Sequence, residues 1–201
     1  MRDLISNRLK GSSAPTDIVA AAAARVEPEL LAAWYRMPLR PAAVLVPLSE
    51  RDGGDLHLLL TERTHTVRDH PGQVAFPGGM YEPKDADLLA TALRESEEEI
   101  GLRPDQVEVV GYLPAQAVIT GYAVLPVVGF YARDFVAKID ASEVAGVFEV
   151  PMDYLLNPEN LTRVDRERNG VMLPTYEYHY EGHRIWGATA LMIRILIDII
   201  S

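Results

Sequence analysis

The sequence predicts an α+β fold, a mixed β-sheet with helices packed against it, and three observations carry that expectation. Short β-branched runs of strand length recur through the chain. Between and after them lie stretches with helical periodicity. No internal repeat, low-complexity tract or linker divides the chain, so one domain is the economical reading.

The elements follow in order. Asp17 to Tyr35, rich in alanine and leucine, is expected as a packing or oligomerisation helix, with Ser12, Ser13 and Thr16 offering caps. Ala42 to Leu48 and Leu56 to Thr61 read as a hairpin across Gly53 and Gly54. Gly72 to Phe76 is a further strand that enters a loop at Pro77-Gly78-Gly79. Asp87 to Ile100 is a helix by periodicity, with Leu89, Ala92, Leu93, Ser96 and Ile100 on one face. Strands are expected over Val107 to Leu113, Tyr122 to Tyr131 and Gly146 to Val150. Thr175 to Tyr180 pairs with His183 to Trp186 across Glu181-Gly182, and Ala188 to Ile200 forms a closing helix.

Composition narrows the function. The 201 residues include no cysteine, which removes disulfides, thiolate ligands and a thiol nucleophile. That is compatible with a reducing cytoplasm, the expected location. Lys and Arg number 19 against 29 acids, for a net charge of −10. Broad nucleic-acid binding needs clustered positive charge and is not expected. A small polyanion can still bind where cations and a few arginines gather in one cleft. The apolar run Ile18 to Ala24 is too short to span a bilayer and lacks a signal peptide's basic flank, so no membrane is expected.

The chemistry concentrates between Gly78 and Leu102. At about 100° per residue, Glu95, Glu98 and Glu99 are expected within one arc, opposite the apolar face. Like charges at these spacings oppose each other by roughly 0.2–0.5 kcal/mol per pair. A hard divalent cation reverses that penalty, because magnesium and manganese prefer carboxylate oxygens. The alternative is a solvated acidic face. Phe76-Pro77-Gly78-Gly79 precedes the helix and lets backbone come close to a metal or phosphate where a side chain would collide.

These residues resemble the box of the Nudix hydrolase family: Gly, five residues, Glu, seven residues, then Arg-Glu-U-x-Glu-Glu-x-Gly-U, with U a bulky aliphatic. Arg94, Glu95, Glu98, Glu99, Gly101 and Leu102 match position by position. The first half departs from the pattern. Gly79 implies one inserted residue, Asp85 stands where the box has Glu, and Ser96 occupies a U position. The resemblance implies a Nudix-type α/β/α sandwich over 41–201, with residues 1–40 as an N-terminal helical extension. It implies that Glu95, Glu98 and Glu99 bind Mg²⁺ or Mn²⁺ and that Arg94 orients the glutamates.

The segment before the box is similar to the signature of the coenzyme A diphosphatase branch. Thr61, Arg63, Arg68, His70, Gly72, Val74, Phe76 and Pro77 match it, with Thr64 for the usual serine and Val67 for the usual leucine. The likeness continues through Thr120-Gly121, Leu125 to Gly129, Glu143-Val144, Val150-Pro151 and Ile185 to Ala190. It implies hydrolysis of coenzyme A or acyl-CoA at the diphosphate, giving 3′,5′-ADP and 4′-phosphopantetheine or its acyl form. Arg63, Arg68, His70, Gly78 and Gly79 are the expected substrate-binding residues, since arginine forks suit phosphate oxygens. Read alone, Arg63 and Arg68 are surface partners of Glu62 or Asp69.

A further carboxylate is sought in Glu143 or Glu149. Trp186 is expected in the core rather than as a base-stacking platform, and the histidines at 57, 65, 179 and 183 have no metal-ligand spacing. Two other readings compete. One keeps the chemistry with ADP-ribose, a dinucleotide or a nucleoside triphosphate as substrate; the other is a module that senses a nucleotide without cleaving it. The N-terminal helix is compatible with a homodimer.

Overall fold

A computed structural model of the chain describes residues 1–64 and 72–201. The expected substrate residues Arg68 and His70, with His65, lie outside the described residues.

Three short helices come first: α1 (Arg2–Leu9), α2 (Ile18–Ala23) and α3 (Pro28–Trp34). The single helix expected from Asp17 to Tyr35 is therefore broken in two. Pro28 opens α3, and a proline disfavours helical backbone at the residue before it, so Glu27 leaves the helix at ψ 137°. Asp17 caps α2 by accepting from the Ala20 amide at 2.9 Å, a role the sequence reading gave to Ser12, Ser13 or Thr16. Ser12 serves the sheet instead: its Oγ accepts from the Tyr112 amide at 2.8 Å. Helix α1 was not expected, because only Ile5 and Leu9 are buried in an otherwise polar segment.

Strands β1 (Arg40–Glu50), β2 (Leu56–Arg63), β3 (Val74–Ala75) and β4 (Gly78–Met80) follow, then helix α4 (Leu88–Ile100). β5 (Val107–Tyr112), β6 (Gln116–Val118), β7 (Tyr122–Tyr131) and β8 (Val144–Pro151) complete the main sheet, ordered β3-β2-β1-β7-β5 along its path. Helix α5 (Met152–Leu156) leads to a second sheet of β9 (Thr162–Arg168), β10 (Val171–Tyr180) and β11 (His183–Trp186). Helix α6 (Ala188–Ile200) comes last. β9 was missed because its Thr-Arg-Val-Asp-Arg-Glu-Arg run reads as a solvated loop; as an edge strand it needs only one partner, β10.

β1 holds the centre. It runs parallel to β7 from Arg40↔Tyr122 to Leu48↔Phe130 and antiparallel to β2 and β4, so the sheet is mixed. Apolar on both faces, it needs cover on both. From α4, Ala92 and Ile100 pack with Ala43, Leu45, Leu59 and Leu125. From α6, Ile193 and Leu196 pack with Val46, Leu58, Leu60 and Phe130. Each large side chain buried this way stabilises by roughly 1.5–3 kcal/mol. Among the described residues, no helix is long and apolar enough to cross a membrane.

Along its length β1 exchanges partners. Ala42–Val44 face Gly78–Met80, whereas Leu48–Glu50 face Leu56–Leu58. The Gly78-Gly79 segment, expected as a loop, is thus a strand. The end of β2 at Arg63 and the start of β4 at Gly78 both meet α4 through Glu99.

Candidate active site

Helix α4 is fixed at both ends. Asp87 caps it by accepting from the Ala90 amide at 2.8 Å. Gly101, at φ 74°, ends it in left-handed backbone. The last carbonyls are taken up by an incoming loop, with the Lys138 amide on Ile100 O (2.9 Å) and the Asp140 amide on Glu99 O (3.0 Å). The same loop is tied to the end of β2, where the Thr64 amide donates to Glu143 O at 2.9 Å. Glu143 is thereby carried to the glutamate face of α4.

The arc of three glutamates opposite the apolar face needs correction. Glu99 follows Ala92 by seven residues, which places it only about 20° away around the helix. It therefore points inward with Ala92 and is 3% exposed. Ser96, the polar residue on the packed face, is buried and donates its hydroxyl to Ala92 O at 2.7 Å. Glu98 instead points outward, its side chain 52% exposed.

Arg94 organises the outer part of the site. Its Nε and Nη2 clasp Asp85 at 2.8 and 3.1 Å. Its Nη1 lies 2.8 Å from both Glu95 and Glu98. Nη2 also donates to Met80 O at 3.2 Å. Asp85 is completed by the Thr91 hydroxyl at 2.8 Å and the Glu82 amide at 3.0 Å. The Arg94 hydrogen bond holds the Asp85 carboxyl well below the usual carboxylate range, and Asp85 in turn raises the guanidinium. Aspartate at the departing box position is thus a buried anchor for the arginine. Lys84 adds a second cation 3.7 Å from Glu98.

The inner part is less well compensated. Glu99 receives one backbone hydrogen bond, from Gly78 N at 3.2 Å, and has the Arg63 guanidinium 3.6 Å away. Burial pushes its carboxyl up to about 8, over the opposing pull of Arg63 and Gly78, with Glu95 and Glu143 pushing further. Glu95 is also raised, by burial first and by Glu98 and Glu143. Gly79 makes room for this crowding, since a Cβ there would stand 2.5 Å from the Glu95 carboxyl. The Arg63 Nε is buried with no hydrogen-bond partner among the described residues.

Of the sequence candidates, Arg63, Gly78, Gly79, Arg94, Glu95, Glu98 and Glu99 meet here, joined by Asp85 and Glu143. Glu149 does not. It lies on β8 against Arg51 and the Tyr131 hydroxyl (2.6 Å from the latter), which lower its carboxyl against burial. Of the two glutamates, only Glu143 falls in a segment that carries the family likeness, and the return of the Asp140 loop onto α4 gives the physical reason.

Among the described residues, no three carboxylate or imidazole side chains are already gathered as a metal cage. The donor set nevertheless fits a hard divalent cation. It offers carboxylate oxygens only, crowds like charges together, and fills the space between them with guanidinium and ammonium groups.

Comparison with known proteins agrees with this geometry. The sequence profile of the NUDIX domain matches residues 38–167. The uncharacterized Nudix hydrolase NudL of Enterobacter sp. (strain 638) is 43% identical over 161 residues, covering 78% of this chain and 81% of that protein. NudL of Photorhabdus laumondii is 42% identical over 157 residues, covering 78% and 83%. The crystal structure of DR0079 from Deinococcus radiodurans shares the fold at a TM-score of 0.51 and 16% identity, covering 85% of this chain and 87% of that one. With the arginine-anchored glutamate helix inside the matched span, the chain belongs to the Nudix hydrolases, enzymes that cleave diphosphate linkages and typically depend on a divalent metal.

Proposed function

We propose that the chain hydrolyses the diphosphate bond of coenzyme A or acyl-CoA, yielding 3′,5′-ADP and 4′-phosphopantetheine or its acyl form. The observation that carries this reading is the delivery of the signature strand to the glutamates. β2, which begins the Thr61 to Pro77 signature, ends at Arg63, whose Nη1 lies 3.6 Å from Glu99 and whose Nε is uncommitted among the described residues. A guanidinium so placed suits a phosphate oxygen beside a metal.

In this reading Glu95, Glu98 and Glu99 hold Mg²⁺ or Mn²⁺, which supplies charge neutralisation at the diphosphate oxygens and activation of water. The residues do the rest. Arg94, locked on Asp85, keeps Glu95 and Glu98 in place. Gly79 leaves room for the Glu95 carboxylate, and Gly78, whose missing side chain lets it pack on Ala43 and Val44, gives its amide to Glu99. Arg63, with Arg68 and His70 of the signature, binds the diphosphate. Water adds to one phosphorus, the bridging P–O bond breaks, and the leaving phosphate takes the electron pair. The catalytic unit is residues 41–201, with 1–40 as a helical extension that packs on it.

The test is a panel of CoA, acyl-CoA, ADP-ribose and a nucleoside triphosphate with Mg²⁺ or Mn²⁺, in ¹⁸O-labelled water with product masses read. The expected result is fastest cleavage of CoA or acyl-CoA, with one ¹⁸O in a single phosphate product. Faster cleavage of ADP-ribose would overturn the substrate, and binding without turnover would overturn the enzyme reading for CoA.

A further inference from the structure

A cavity of about 550 Å³ opens between β11 and β3, its lining among the described residues including Glu62, Gln73, Glu181, His183, Arg184 and Trp186, with Arg166 just outside it. Its size is that of a small-molecule site. It stands directly beside the glutamate site. Glu62 pairs with Val74, the next residue is Arg63, and the Arg63 amide donates to Gln73 O at 3.0 Å. Consecutive residues of β2 thus serve the cavity with one side chain and Glu99 with the other, on opposite faces of the strand.

The cavity wall is pre-set. His183 stacks on Phe148 with ring centroids 3.8 Å apart and planes 7° from parallel, and its Nδ1 lies 3.2 Å from Glu62. Trp186, expected in the core, is only half-buried. Two guanidinium groups approach its ring, Arg184 at 5.1 Å and Arg166 at 5.4 Å. Arg184 spends Nε and Nη2 on the single oxygen Oε2 of Glu177. The buried Nε of Arg166 has no hydrogen-bond partner among the described residues. In a chain of net charge −10, the unpartnered buried Nε of Arg166 beside the indole is a demand that an anion can meet, and the exposed Arg184, already paired with Glu177, adds positive charge next to it.

We propose that this cavity holds the phosphorylated nucleoside end of the substrate, with Trp186 as the platform for the base and Arg184 and Arg166 as partners of the phosphate on the ribose. Gln73, Glu62 and Glu181 then offer polar partners for base and ribose. The neutral pantetheine arm would have no use for two arginines. This assignment rests on the coenzyme A reading, which supplies a nucleoside with a phosphate beyond the diphosphate.

The experiment is calorimetric titration of the whole chain, with Mg²⁺, by 3′,5′-ADP and by AMP, which differ only in the 3′-phosphate. Wild type is expected to bind 3′,5′-ADP at least about tenfold tighter. Arg184→Gln should cut 3′,5′-ADP affinity about tenfold and leave AMP unchanged; Trp186→Leu should weaken both. Arg166→Gln gives a second route if Arg184→Gln does not fold. Equal binding of the two nucleotides, or a folded Arg184→Gln variant with wild-type affinity for 3′,5′-ADP, overturns the proposal. CoA cleavage is scored separately. Arginine-dependent 3′,5′-ADP binding without CoA cleavage sinks the substrate reading and keeps the cavity; CoA cleavage with indifferent 3′,5′-ADP binding does the reverse.

Discussion

Glu99 and Glu149 both sit largely out of solvent, one on α4 and one on β8, and each faces an arginine. Glu149 is satisfied: Arg51 holds both its oxygens, Tyr131 donates to it, and His57 Nδ1 lies 3.7 Å away, so its carboxyl falls below the ordinary range. Glu99 has one amide and a guanidinium at 3.6 Å, with two further carboxylates repelling it, and its carboxyl rises to about 8. A carboxylate whose needs are met by the fold ties strands together. One whose needs are left open stores a demand that a cation can meet. What separates the two physically is the set of partners each finds in the fold, which their residue type does not show.

Removing a carboxylate of the α4 site should therefore cost activity, and removing Glu149 should cost stability. Glu98→Gln and Glu99→Gln are each expected to lower kcat by about 10²–10³-fold with the fold retained. Glu149→Gln should stay within about threefold of wild type. Steady-state kinetics with metal in excess checks all three; equal losses would erase the contrast.

The pH dependence of the metal-free protein sharpens it. Because the folded carboxyl of Glu99 is raised to about 8 from an ordinary 4.5, the native state binds the extra proton between these values. Stability linked to Glu99 is whole below about 4.5 and is lost as pH rises towards 8, a change of a few kcal/mol at most. Melting curves in chelator should show this decline, and Glu99→Gln should flatten it. Asp85→Ala should cost about 3 kcal/mol in urea unfolding, because it removes the buried carboxylate that clasps Arg94 Nε and Nη2. Glu149→Gln should cost about 2 kcal/mol by the same measurement.

Much of the fold was legible. The hairpin of β1 and β2, the helix over Leu88–Ile100 and the closing helix follow from periodicity, because their apolar positions face one contiguous core. The break at Pro28 was visible as a proline but was overridden by alanine-rich composition. α1 and β9 were illegible, since short polar segments take their structure from the partner they lie on. In the site, spacing singled out Glu95, Glu98 and Glu99 as a group, and the resemblance to the Nudix box added Arg94. The inward turn of Glu99 was missed because the helix was treated as having two opposed faces. It lies between a sheet and a loop, and the loop end is where Glu99 and Glu143 meet. Asp85 was legible as a position but not as a role; its bond to Arg94 spans nine residues of chain that only the fold brings together.

Metal binding tests the central claim most directly. Calorimetric titration with Mn²⁺ at neutral pH would compare wild type, Glu99→Gln and Glu149→Gln. The account predicts Mn²⁺ binding with proton release in wild type and in Glu149→Gln, and its loss in Glu99→Gln. Undiminished Mn²⁺ binding by a folded Glu99→Gln variant would contradict it.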